Sequence, residues 1–457
     1  MLFETITSAG IAHNSYILGS GGIAAVIDPR RDCNVYLELA DRADLAITHI
    51  FETHRNEDYV IGSQELAAWC GAEIYHGARM PFLYGIPVTE GDTFSLGSLD
   101  LFVLETPGHT EESISLVVRD RDVSPEPFMI FCGDTLFNGD IARTDFFGPT
   151  RKGEMAAKIF DSITDKILSL GDGVIICPAH GAGSICGGDI ADHPFTTVGY
   201  EKQTNRQILI GRDAFIRQRI HEAPYIPPYF SQMERYNKDG APVLGHIPHL
   251  RPLGIAEVNS LRMSGAQVVD IRSPTSFATG NIKGSLSIWR DGIPAFAGWF
   301  LDYERPIVFV DDFNVGFDSV VRHCVRLGYD NIAGYLAGGF PAWCTGAQEI
   351  ATVGACSVQQ LNVRLETESP FILDVRDIKN YRSVGHIRGA HHIYVGELPD
   401  HLTEIPRDEP IFVYCDAGYK GSLAASYLAI NKYNHITNVL GGMLAWKRAG
   451  YPLEKSI

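Results

Sequence analysis

Thr53-His54-Arg55-Asn56-Glu57-Asp58-Tyr59 follows directly on the apolar run Leu45-Ala46-Ile47-Thr48-His49-Ile50-Phe51, which reads as a buried strand. Loops at strand ends are where binding and catalytic groups gather. Three later segments repeat this arrangement. Thr106-Pro107-Gly108-His109-Thr110 comes after the strand-like Leu99 to Leu104, and its Pro-Gly turn projects His109 from a fixed loop. Phe131-Cys132-Gly133-Asp134-Thr135 places Asp134 at another strand end, and Cys177-Pro178-Ala179-His180-Gly181 follows a strand expected over residues 173–176. One His or Asp at a strand end is usually a cap or turn residue. Four in this order, each behind an apolar strand, point to a common site.

Taken together, these segments resemble the metallo-β-lactamase superfamily, an α/β fold built as an αββα sandwich, over about residues 1 to 240. In binuclear zinc members the first loop supplies three His and an Asp. Here His54 and Asp58 remain, while Asn56 and Tyr59 stand where imidazoles would be. The resemblance therefore implies one metal on His54, His109 and Asp134, with Asp58, His180, Asn56 and Tyr59 beside it, orienting ligands or bound water. Two imidazoles and a carboxylate suit non-haem Fe(II) and oxygen chemistry. The same groups also permit zinc with a bound water. The likeness to persulfide dioxygenases favours a single Fe(II) per chain. Ala142-Arg143-Thr144-Asp145-Phe146 is similar to a segment those enzymes carry, in which Arg143 would offer a cation to an anionic substrate.

The second half of the chain repeats itself. Asp270-Ile271-Arg272 recurs as Asp374-Val375-Arg376, and Gly280-Asn281-Ile282-Lys283-Gly284 as Gly385-His386-Ile387-Arg388-Gly389. Gly338-Gly339-Phe340-Pro341-Ala342-Trp343 recurs as Gly441-Gly442-Met443-Leu444-Ala445-Trp446. A period of about 100 residues is that of a duplicated small domain rather than a solenoid unit. Each copy resembles the rhodanese fold, and the Asp-x-Arg pairs read as structural braces.

In the second copy the strand ending at Tyr414 runs into Cys415-Asp416-Ala417-Gly418-Tyr419-Lys420, ahead of a helix expected over residues 422–430. A thiol facing backbone N–H groups, a helix N-terminus and Lys420 is expected to be a reactive thiolate. The loop has the shorter, sulfur-handling length of the rhodaneses. The first copy carries Asp311 and Asp312 at this place, and two carboxylates would repel anionic sulfur donors, so it is expected to be catalytically silent.

The expected domains are residues 1–245, metallo-β-lactamase-like; 246–350, the silent rhodanese-like copy; and 351–457, the active one. Residues 224–252, rich in proline, suit a linker or extended strap. A net charge of −17, from 55 acidic against 38 basic residues, argues against nucleic acid or an anionic membrane as partner. No signal-like start or uninterrupted apolar span is evident, and nine cysteines without paired spacing suggest reduced thiols in the cytoplasm. The expected partners are a low-molecular-weight thiol persulfide, O2, and sulfite or thiosulfate. Self-association into a homo-oligomer is left open. The resemblance implies oxidation of the persulfide to sulfite, coupled to sulfur transfer through Cys415. The alternatives are a zinc thioester hydrolase of the glyoxalase II type, and a metal-free binding module in which Cys415 alone works.

Overall fold

The computed structural model describes residues 1–193 and 195–455. Two six-stranded sheets build the first half. One runs in spatial order β1 (Leu2–Ser8), β2 (His13–Ser20), β3 (Ile23–Ile27), β4 (Ala46–Glu52), β5 (Glu73–Gly77) and β6 (Ile86–Val88). The other contains β7 (Thr93–Leu96), β8 (Leu99–Glu105), β9 (Ile114–Asp120), β10 (Pro127–Gly133), β11 (Ile175–Pro178) and β12 (Thr196–Thr197), ordered from β12 at one edge to β7 at the other.

The strands read as unbroken apolar runs because both faces of each sheet are covered. Leu18, Phe51, Leu101, Leu116 and Phe131 meet between the sheets. Their neighbours in sequence point the other way: Ile17 and Ile50 pack under Tyr36, Ala40 and Leu66, while Ile130 packs under Ala156 and Ile159. Those covering residues lie on helices Asn34–Arg42, Ser63–Cys70 and Lys152–Asp161, which complete the αββα sandwich.

Direction then places the site. β9 is antiparallel to both β8 and β10, and β11 is parallel to β10, so β8, β10 and β11 all end at the same edge. His109, Asp134 and His180 follow those three ends, and His54 follows β4.

Two sequence expectations need correction here. The last of these strands is Ile175–Pro178 rather than 173–176. The proline-rich stretch is not simply a strap: it contains the helix Phe230–Asp239, whose Phe230, Met233 and Asn237 are buried. Pro227 and Pro228 sit just ahead of that helix, where a missing N–H costs little.

The chain divides into two compact units: Met1–Ile247 with Val325–Gly328, and Pro248–Cys324 with Tyr329 onward. The second unit holds both repeats, each with a five-stranded parallel sheet. The first sheet is made of β13 (Pro252–Leu253), β14 (Gln267–Asp270), β15 (Leu286–Ser287), β16 (Ile307–Val310) and β17 (Ile332–Leu336). Its counterpart is made of β18 (Gly354–Cys356), β19 (Phe371–Asp374), β20 (His391–His392), β21 (Ile411–Tyr414) and β22 (Ile436–Val439). Both are ordered 1-5-4-2-3, and Trp343 and Trp446 fill corresponding places in the two cores. Among the described residues no helix is long and apolar enough to cross a membrane.

Candidate metal centre and thiol loop

His54, His109 and Asp134 are buried and converge, with His54 Nε2 at 3.8 Å and His109 Nε2 at 3.5 Å from Asp134 Oδ2. The approach depends on Gly133, at φ +53°, where an added Cβ would lie 2.4 Å from Thr53 Oγ1. None of these three facing atoms has a hydrogen-bond partner.

The partners on the far side of each group explain why. The Thr53 hydroxyl donates to Asp28 at 2.7 Å, so the 2.9 Å contact between Thr53 Oγ1 and His54 Nδ1 is donated by the ring. His109 Nδ1 donates to the Arg143 carbonyl at 2.9 Å. In the neutral form both rings turn a lone pair inward at Nε2, the tautomer a metal ligand requires; burial opposes charge on His109, but Glu57 and Asp134 raise it above its ordinary value. Burial pushes His54 down to about 4. Burial also opposes charge on Asp134, yet His180, His54 and His109 hold its carboxyl well below the ordinary range. Orphaned acceptors aimed at one point fit a divalent cation.

His180 is engaged differently. Its Nδ1 donates to Asp134 Oδ1 at 2.7 Å, and Nε2 lies 2.9 Å from Asp58 Oδ2 in a charge pair outside hydrogen-bond alignment. Burial disfavours the cation, but the two carboxylates raise His180 well above its ordinary value. His180 thereby orients Asp134, and with Asp58 and Cys186 it also forms a second buried group whose atoms could hold a metal ion. Tyr59 is buried against the His13 ring at 4.0 Å, and Asn56 donates to the His54 carbonyl at 3.2 Å.

Arg143 departs from expectation. Its guanidinium grips Asp145 through two 2.8 Å hydrogen bonds and donates to the Tyr225 carbonyl, so its charge is already matched. Its backbone carbonyl, which fixes His109, is what reaches the site.

Asn237 and Glu57 were not singled out by sequence reasoning, and Cys186 only as the next candidate nucleophile after Cys415. Asn237 donates to the carbonyls of Asn56 at 2.6 Å and Tyr59 at 2.7 Å and accepts from Ile61 N–H, which locks the loop. Glu57 is fully buried beside His109, and Cys186 lies with His109 and Asp134 as a possible ligand set. Burial pushes the Cys186 thiol well above its ordinary value. A carboxylate between two lost imidazoles was the available signal for Glu57; Asn237 offered none.

In the second unit Cys415 directly follows β21 and is 1% exposed. Gly418 N–H donates to its sulfur at 3.1 Å, ahead of the helix Tyr419–Ile430, which starts earlier than expected. Lys420 pairs with Asp416 at 2.8 Å. The expected thiolate needs correcting: burial raises the Cys415 thiol above its ordinary value, and Lys420 and the loop N–H groups only partly offset this. Trp289 and Phe296, from the repeat without a thiol, line the pocket before Cys415.

Residues 9–180 match the family model of the metallo-beta-lactamase superfamily, and residues 255–345 and 357–449 each match the rhodanese-like domain. A solved metallo-beta-lactamase from Staphylococcus aureus is 32% identical, spans 74% of this chain and 98% of its own, and superposes with a TM-score of 0.65. Hydroxyacylglutathione hydrolase GloC of Haemophilus influenzae is 28% identical over 204 residues, 40% of this chain and 85% of the relative. The solved ETHE1 of Myxococcus xanthus is 26% identical, covering 54% of this chain and 100% of its own, with a TM-score of 0.46.

Proposed function

We propose, for a chain that belongs to the metallo-β-lactamase superfamily and carries two rhodanese-like domains, that it oxidises a low-molecular-weight persulfide to sulfite and transfers sulfane sulfur through Cys415. The observation that carries this reading is the asymmetry of the first site. His54, His109 and Asp134 present unpartnered atoms to one point, while the place of a second metal keeps Asp58 and a His180 already engaged by two carboxylates and has Tyr59 for its central imidazole. A binuclear hydrolytic centre is short of two imidazoles, at Asn56 and Tyr59, whereas the three groups of a mononuclear one are all present.

When bound there, Fe(II) would supply activation of O2 toward a thiol-type sulfur. The chain's own part is to hold that site. Thr53 and the Arg143 carbonyl position the two imidazoles, His180 fixes Asp134, and all of these groups are buried. The overall change balances as RSSH + O2 + H2O → RSH + SO3²⁻ + 2H⁺. At the second site, attack of sulfite on the outer sulfur of a Cys415 persulfide would break the S–S bond, releasing thiosulfate and the Cys415 thiolate. Two catalysts on one chain raise the local concentration of the shared intermediate.

Protein purified without oxidation is expected to hold about one iron per chain and to consume O2 with a persulfide. It should yield thiosulfate, where Cys415→Ser protein stops at sulfite. His109→Ala should lose both metal and oxygen uptake. Full activity with zinc, in the absence of oxygen uptake, would establish the hydrolase alternative instead.

A further inference from the structure

Glu57 sits between Asn56 and Tyr59, the two positions where imidazoles are replaced, and its two oxygens have unlike surroundings. Oε1 accepts from Arg55 Nη2 at 3.0 Å, and the same guanidinium nitrogen is 3.2 Å from Glu234. Oε2 has no hydrogen-bond partner and faces His109 Nε2 at 3.5 Å. With His109 Nδ1 donating to the Arg143 carbonyl, Nε2 is left to face Oε2 in buried surroundings, and this pair needs a proton or a metal ion between its atoms. Such a contact is unfavourable unless a cation lies between the atoms. One donor atom each from His54, Glu57 and His109 lies within 4.8 Å of the other two, close enough for small side-chain shifts to bring all three onto one ion.

We propose that Glu57 is a fourth protein ligand to the divalent metal, making up for the imidazole lost at Asn56. The inference rests on the reading that His54, His109 and Asp134 hold a metal. With Asp134 and Glu57 both ionised, the ion's two positive charges are matched, which stabilises it in a buried site. Two imidazoles and two carboxylates leave two positions of an octahedron for exogenous ligands. Arg55 has a defined part: by holding Oε1 it aims Oε2.

The test uses the full chain, stripped by a chelator and reloaded with cobalt(II), whose visible bands report its ligands. Glu57→Gln should raise the cobalt dissociation constant at least about tenfold and shift those bands. Should Glu57→Gln reduce the folded yield, Glu57→Asp, which keeps the charge near Arg55 but shortens the reach, should shift the bands as well. Weaker binding with unmoved bands would make Glu57 a neighbouring charge and overturn the assignment. Wild-type affinity and bands in the Glu57 variants, with cobalt lost from His109→Ala, would overturn Glu57 alone. Cobalt retained at wild-type affinity by His109→Ala would overturn the metal site itself, and the assignment of Glu57 with it.

Discussion

The carbonyl of Asp311 accepts from the Phe340 N–H and that of Cys415 from the Met443 N–H, both at 2.8 Å, so the two repeats hold their loops by the same backbone device. The braces match as well. Arg272 bridges Asp270 and the Gly280 carbonyl at 2.6 and 2.7 Å, and Arg376 bridges Asp374 and the Gly385 carbonyl at 2.6 and 2.8 Å. Trp343 and Trp446 each donate to a carbonyl six residues on, at 3.0 and 2.9 Å. What differs is the first residue of the loop. Asp311 turns its carboxylate to Arg290 at 3.2 Å, whereas the Cys415 sulfur accepts a backbone N–H. The fold is thus maintained by groups outside the loop, which leaves the loop free to lose its chemistry. The repeat without a thiol still supplies Trp289 and Phe296 to its neighbour's pocket.

The largest expected effect separates the repeats outright. Cys415→Ser should abolish sulfur transfer to cyanide, read as thiocyanate, and Asp311→Ala should leave it unchanged, since only a thiol carries sulfane sulfur covalently. Transfer surviving in Cys415→Ser would place the nucleophile elsewhere and end the contrast.

Next, the shared brace predicts matched losses. Arg376→Leu leaves Asp374 buried and unpaired and should cost about 3–5 kcal/mol, and Arg272→Leu a similar amount. Denaturant unfolding followed by tryptophan fluorescence is suited to this, because Trp289, Trp299, Trp343 and Trp446 all lie in the second unit and only Trp69 in the first. A negligible loss in one repeat would mean that the equivalence is geometric only.

The smallest effect concerns pH. Burial holds the Cys415 thiol above its ordinary value, so below that point the thiolate fraction grows about tenfold per pH unit. Alkylation of Cys415 by iodoacetamide, followed on its peptide, should therefore climb roughly a hundredfold from pH 7 to 9 without levelling. A plateau below pH 8 would show that Lys420 and the loop N–H groups outweigh burial.

The order of ligands along the chain, the duplication and the single loop thiol were legible in the sequence, because each is carried by residue type and spacing next to a strand. The helix at residues 230–239 was obscured by the prolines ahead of it. Sequence could not supply the state of each group, which depends on what lies opposite it in space. His180 is held between Asp58 and Asp134, and Arg143 is neutralised by Asp145. Asn237 reaches the Tyr59 carbonyl across 178 residues of chain. Only the tertiary structure decided these pairings, along with the balance at Cys415 and the orientation of Glu57, since burial and opposed charge act through distance in the folded molecule rather than along the chain.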